Sequence, residues 1–310
     1  AGSPMLFFAI FILLTAVVVM LGVQKGVEKV SKLMMPVLLI LIVGISIYTL
    51  TLPGAIDGLI YYVKPDFNQF SIKTVIAAVG QLFYSMSLAM GIMITYGSYM
   101  RKEDNIESSV RQIEVFDTLV AFLAGLIIVP AVFVFSGGDE NALNAGPSLM
   151  FITLPNVFKE MLGGQIVGAV FFLLVVLAAM TSSISLMETV VSIVEERFHW
   201  KRIPSCLIVT GISFLIGLLS VFGYSIWSDF TIFHMQFLDF FDYISNNIMM
   251  PIVALMTCVL VGFVVKTTFV EDEIEKNARF RVKGLYRVMI KFICPICMLL
   301  ILFSALFLKL

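Results

Sequence analysis

Oxygen donors set into apolar sequence are the residues of this chain whose types and spacing could do chemistry. One group is Gln81-Leu82-Phe83-Tyr84-Ser85-Met86-Ser87-Leu88-Ala89-Met90-Gly91, where hydroxyls and a glycine cluster inside a long apolar run. A second is Ala178-Ala179-Met180-Thr181-Ser182-Ser183-Ile184-Ser185, with Glu188 about two turns further on and Glu195-Glu196 closing the run. Asp117 opens a third apolar run, soon after Arg111. Carboxylate, hydroxyl and backbone carbonyl oxygens together are the donor set that hard cations take. Each group also has a plainer reading. Small hydroxyl residues let helices pack closely, and Asp117 could sit as an interfacial acid. The sharper reading of residues 81–91 is a helix broken in mid-membrane, whose freed carbonyls and helix ends bind ion and solute. Asp239 and Asp242, three apart and so on one face, read equally as solvated interfacial acids or as a gate.

Enzymatic constellations are scarce. His199 and His234 have no metal-ligand spacing to a partner, and no zinc-protease helix, phosphate-cradling loop or nucleophile elbow occurs. Cys294-Pro295-Ile296-Cys297 has redox spacing but lies in an apolar run without a thioredoxin-like context, and reads as helix filling around a proline kink.

The elements that must position these donors follow from composition. The 310 residues are 60% hydrophobic and 13% charged, with a mean hydropathy of +1.04. A soluble domain runs nearer half apolar and a quarter charged. An ordinary globular protein, a disordered chain and a nucleic-acid binder are excluded, and a net charge of −1 leaves no basic field for phosphates. Eight apolar runs are long enough to cross a bilayer as helices. They are Phe7–Val23, Leu33–Leu52, Val75–Met100, Thr118–Phe135, Ile166–Val194, Cys206–Phe222, a run centred on Ile248–Val265, and Val288–Leu308.

Fifteen of the twenty Lys and Arg fall in the first, third, fifth and seventh loops between these runs. The positive-inside bias makes those loops cytoplasmic and puts both termini outside. The start Ala1-Gly2-Ser3-Pro4 has no initiator methionine and follows no signal peptide, so the expectation is a fragment that begins after earlier helices. The reading is an all-α, multi-pass protein of the cell (inner or plasma) membrane, with residues 1–310 as one transmembrane domain and the lipid bilayer as a partner.

Four stretches, in this order and hydropathy frame, resemble the bacterial sodium-coupled amino-acid transporters of the neurotransmitter:sodium symporter family. They are Gly26–Pro36, Ala78–Arg101, the outer-loop stretch Ala145–Pro155, and Thr181–Ser183. The resemblance begins near the fourth family helix and implies helices four to eleven, with helices one to three absent. It implies a fold of two inverted five-helix repeats, incomplete at the N-terminus, with a site between the first and sixth helices. The sixth is Val75–Met100. Ser85 then matches a hydroxyl on one sodium, and Ala178 (carbonyl), Thr181 and Ser182 match the other sodium site. Ser87 and Met90 match the substrate-facing unwound segment, Tyr84 the aromatic lid, and Ser182 and Leu186 the substrate pocket. Gln81 and Asp242 match the outer gate, whose arginine partner would be on the first helix. Tyr99 and Glu196 match the inner gate, and Gly26–Pro36 a cytoplasmic segment thought to unwind when sodium leaves.

Two departures stand out. Ala89 stands where the family often has glycine, which weakens the sequence case for unwinding. Asp117 stands where many members have asparagine, and Ala121, one turn on, replaces the serine or acid tied to chloride. The expectation is a sodium-coupled symporter of a neutral, hydrophobic or aromatic L-amino acid. It works without chloride, uses no cofactor beyond sodium as coupling ion, and is not an enzyme or a nucleic-acid binder. A membrane amino-acid sensor using the same pocket without turnover, or an ion channel, are the readings from other classes.

Overall fold

The computed structural model describes residues 2–67, 70–137 and 149–308. Ala145–Ser148 of the outer-loop stretch lie outside the described residues. Among those described, the regular structure is helical, and seven helices are long and apolar enough to cross a membrane. They are Ser3–Met20, Val23–Leu50, Ile106–Phe135, Gly164–Phe198, Arg202–Gly223, Phe237–Val264 and Lys283–Leu306. The eighth expected span, Val75–Met100, is not one helix but two short ones separated by a turn.

The helices α1 (Gly2–Met20), α2 (Lys29–Leu50), α3 (Ala55–Val63), α4 (Ile72–Ser85), α5 (Ile92–Ser98), α6 (Ile106–Phe135) and α7 (Leu154–Glu160) come first. They are followed by α8 (Gly164–Phe198), α9 (Arg202–Gly223), α10 (Phe237–Asp242), α11 (Met250–Val259), α12 (Thr267–Glu275), α13 (Lys283–Val288) and α14 (Cys294–Phe303). Single π-helical turns join α10 to α11 and α13 to α14. Cys294 and Pro295 therefore open a helix after a π-turn, where a proline N–H is not needed, and both cysteines of that motif are free. The Gly26–Pro36 stretch runs through a π-turn at Val23–Glu28 into α2, with Pro36 inside the helix.

The chain divides into two compact units. One comprises residues 23–70 and 115–183. Its core joins Leu38, Ile42 and Ile45 of α2 to Ile127, Ala131 and Val132 of α6, Leu154, Val157 and Phe158 of α7, and Phe171 and Leu174 of α8. Spacings of three and four put the α2, α7 and α8 positions on one face of each helix, and Val132 widens the α6 face beside Ala131. Ser46 sits in this apolar packing with its hydroxyl donated to Leu123 O (3.1 Å) and Ile42 O (2.7 Å). The short helix α3 lies on α6 through Gly58, where a β-carbon would stand 2.7 Å from Pro130 Cα. Backbone cannot yield to a methyl as a side-chain tip can. Gly58→Ala should therefore cost about 1–3 kcal/mol by overpacking, read as a lower melting temperature in detergent. An unchanged value would show that α3 shifts freely to make room.

The other unit comprises residues 1–22, 71–114 and 184–310. Phe8 of α1 stacks on Phe214 of α9 at 5.5 Å, and its ring occupies the space that a β-carbon on Gly217 would need. The loop helix α12 is fixed to α13 by a two-pronged ion pair, Arg287 to Glu271 at 2.8 and 2.6 Å. The guanidinium bonds hold the buried Glu271 carboxyl below the usual carboxylate range. Beyond α12, Asn277 donates its amide to Lys102 O (2.5 Å) and Asp104 O (3.1 Å), in the turn that leaves α5.

Candidate functional site: a helix broken at Met86–Gly91

The helix α4 starts on a reciprocal cap. Ser71 Oγ accepts from Thr74 N–H at 3.4 Å, while Ser71 N–H donates to Thr74 Oγ1 at 3.3 Å. It ends at Ser85 on a Schellman pattern, with Ser87 N–H on Tyr84 O and Leu88 N–H on Phe83 O, both 3.0 Å. That motif needs a left-handed residue, and glycine is the usual one. Here Ser87 takes it, at φ +53°, and Ala89 follows at +61° and Gly91 at +81°. A left-handed non-glycine residue costs about 1–3 kcal/mol, so the surrounding structure must hold both. The carbonyls of Met86 to Met90 accept no backbone hydrogen bond within the described residues. Oxygens and N–H groups freed in this way are what a bilayer tolerates only around a cavity or a ligand. The break itself, common to the sharper sequence reading, is present in the backbone, and Ala89 does not prevent it.

The half-helix α5 is docked on α8 by three contacts. Gly91 approaches so closely that a β-carbon there would be 3.0 Å from Thr189 Cγ2. Tyr96 donates its phenol to Ser185 Oγ at 2.7 Å, and Tyr99 donates to Glu188 Oε1 at 2.8 Å. Donors three apart thus meet acceptors three apart, each pair on one helix face. Glu188 is fully buried and forms a two-pronged ion pair with Arg202, whose Nη1 also reaches Glu195 at 3.4 Å. Arg202 Nε donates to Val19 O at 2.9 Å, capping the end of α1.

Tyr99 therefore faces Glu188 rather than Glu196, which is exposed. The period of the helix explains this. Glu188 and Glu195 are seven residues apart and nearly eclipsed, whereas Glu196 is turned by about 80° from Glu188. Glu188 and Arg202 were legible only as an acid in an apolar helix and a base opening the next one. At the expected outer gate, Asp242 accepts from Asn246 Nδ2 at 2.6 Å, and Gln81 is exposed and not bonded to it. Tyr84 and Leu186 present large open surfaces, 50% and 44% exposed. Ser85, Ser87 and Met90 are partly buried along the break.

In the other unit, Thr181 Oγ1 donates to Ala178 O at 2.9 Å, and Ser183 Oγ donates to Met180 O at 3.1 Å. Ser182 is exposed and has neither bond. The Thr181 and Ala178 oxygens are thus close enough for one small cation to touch both. Asp117 is partly buried on α6, with Ala121 one turn on.

Among the described residues, seven long apolar helices and one broken one define a multi-pass membrane protein with a discontinuous span. The chain belongs to the Sodium:neurotransmitter symporter family, whose profile matches residues 1–309. This is a family of transporters, not of enzymes. The chain is 33% identical over 299 residues to an uncharacterized sodium-dependent transporter of Haemophilus influenzae, covering 96% of this chain and 64% of that protein. A sodium-dependent transporter of Bacillus subtilis is 31% identical, over 94% of this chain and again 64% of the relative. The chain thus spans just under two thirds of the length of these relatives. Among solved structures, that of MhsT in complex with L-phenylalanine superposes with a TM-score of 0.85 at 32% identity. The match covers 97% of this chain and 68% of MhsT.

Proposed function

We propose that the protein is a sodium-coupled symporter of a neutral, hydrophobic or aromatic L-amino acid, this chain supplying the fourth to eleventh helices of the family fold. The observation that carries the reading is the unwound Met86–Gly91 segment, in which the carbonyls of Met86 to Met90 accept no backbone hydrogen bond among the described residues and Ser87 and Ala89 are left-handed. Ser85, Asp117, Ala178 O, Thr181 and Ser182 are the proposed sodium ligands. Tyr84, Ser87, Met90, Ser182 and Leu186 are the proposed substrate contacts. Gln81 with Asp242, and Tyr99 with Glu196 or its neighbour Glu188, are the proposed gates. The bound L-phenylalanine of MhsT supports an aromatic or large apolar substrate. Coupling follows if sodium and amino acid both stabilise one arrangement of these groups.

The test is uptake of labelled phenylalanine and leucine by the full-length protein in proteoliposomes. An inward sodium gradient should drive saturable accumulation. Binding without accumulation would instead make the protein a sensor, and current without saturable amino-acid dependence a channel. Thr181→Val and Ser182→Ala each remove an oxygen at little change in volume. An unmade contact in a desolvated site costs about 1–3 kcal/mol, equivalent to a loss of roughly 5- to 150-fold in apparent sodium affinity. Unchanged sodium affinity in both variants would reduce this stretch to helix packing.

A further inference from the structure

A helix as short as α5 has no stability of its own. Seven residues make barely two turns, and Gly91 at its start provides no side-chain cap. Its position is set by what it touches. Ile92 and Thr95 are buried, and the two tyrosine hydroxyls reach α8. These two bonds differ in kind. Tyr99 ends on a carboxylate that is already paired with Arg202, at the end of α5 away from the break. Tyr96 lies one turn nearer the break and meets a neutral hydroxyl, that of Ser185. Ser185 in turn stands one turn along α8 from Thr181 and Ser182. Sliding α5 by one residue displaces it by about 1.5 Å, enough to break a 2.7 Å bond. Both side chains are partly buried, so a broken bond leaves a donor and an acceptor less well satisfied.

We propose that Tyr96 and Ser185 are a positioning pair for sodium coupling. Their hydrogen bond fixes the register of α5 on α8, and with it the placement of the Met86–Gly91 carbonyls that precede α5. The pair touches neither ion nor substrate and acts through the groups that do. This inference rests on the symport reading for its consequence, but the bond and its effect on α5 can be measured apart from transport.

The experiment uses the full-length protein with Tyr96→Phe, Ser185→Ala, the double variant and Ser185→Thr. Binding of labelled phenylalanine is titrated with sodium, and hydrogen exchange across Ile92–Ser98 is followed by mass spectrometry without ligands. Each single removal should raise the half-saturating sodium concentration about three- to tenfold, and the double variant should do no more. The phenylalanine Kd at saturating sodium should stay within twofold, Ser185→Thr should behave as the parent, and α5 should exchange faster in Tyr96→Phe. A fall in melting temperature with unchanged sodium dependence would reduce the pair to a structural role and overturn the proposal. So would effects that multiply in the double variant, or unaltered exchange in α5. If the parent protein binds phenylalanine without sodium, the symport reading fails, and the exchange of α5 alone then decides whether the pair sets its register.

Discussion

Arg202→Ala should lose about 3–5 kcal/mol of stability, the range for stranding one member of a buried ion pair. The two partners are not equivalent. Glu188 is fully buried and also accepts from the Tyr99 phenol, so without Arg202 its charge has no cation bonded to it among the described residues. The Arg202 side chain is 23% exposed and also faces Glu195. Removing the charge from position 188 is therefore the milder change. Glu188→Gln keeps an oxygen for Tyr99 and for the guanidinium, and leaves Arg202 with Glu195 and water. Arg202→Ala also uncaps Val19 O at the end of α1. Thermal melts of the purified full-length protein should rank Arg202→Ala well below Glu188→Gln. The combined Glu188→Gln, Arg202→Met variant should recover part of the loss, because it no longer buries an unpaired charge. Equal melting temperatures for the parent and Arg202→Ala would mean that Glu188 is not held in this arrangement in the membrane protein.

Uptake should survive complete replacement of chloride by gluconate, and Asp117→Asn should reduce that uptake at least tenfold. In the symport proposed, sodium and a zwitterionic amino acid would bring a net positive charge into a site of low dielectric. A compensating negative charge at about 4 Å is worth roughly 4 kcal/mol at an effective dielectric of 20. Asp117, a partly buried acid on α6, is the group proposed to supply it, and Ala121 one turn on has no hydroxyl to hold an anion. Chloride should rescue Asp117→Asn only when Ser is also placed at position 121. Uptake by the parent that falls to background in gluconate, or normal uptake by Asp117→Asn there, would refute this assignment.

The long apolar helices were legible because hydropathy measures the property that makes a span, apolar length. Their ends were not. α6 begins at Ile106, twelve residues before the apolar run, since Glu107, Arg111 and Glu114 occupy turns that need not lie in hydrocarbon. α8 likewise continues through Glu195-Glu196-Arg197 to Phe198. The break in Val75–Met100 was visible only as one of two readings. Left-handed geometry is signalled by glycine, and at positions 87 and 89 the chain uses serine and alanine. The short helices α3 and α12, nine residues each, fall below the length of a span, and each is held by a local device. For α3 this is the close approach at Gly58, and for α12 the Glu271–Arg287 pair. The partner of Tyr99 was missed for a related reason. Position along a helix can be read from sequence, but which of several acids a neighbouring helix will face depends on packing.

The turn at Met86–Gly91 separates arms of unequal length. α4 has fourteen residues and α5 seven, so they extend about 21 Å and 10 Å from it. A rotation of about 10° at that point sweeps the far end of α4 through roughly 3.6 Å, and the far end of α5 through half as much. The short arm is the one held by the two tyrosine hydroxyls and, beyond its end, by Asn277, whereas Gln81 on the long arm is exposed. Mechanically the two arms are held in different ways: motion of the short one requires specific bonds to α8 to break first, whereas the long one lies against α14.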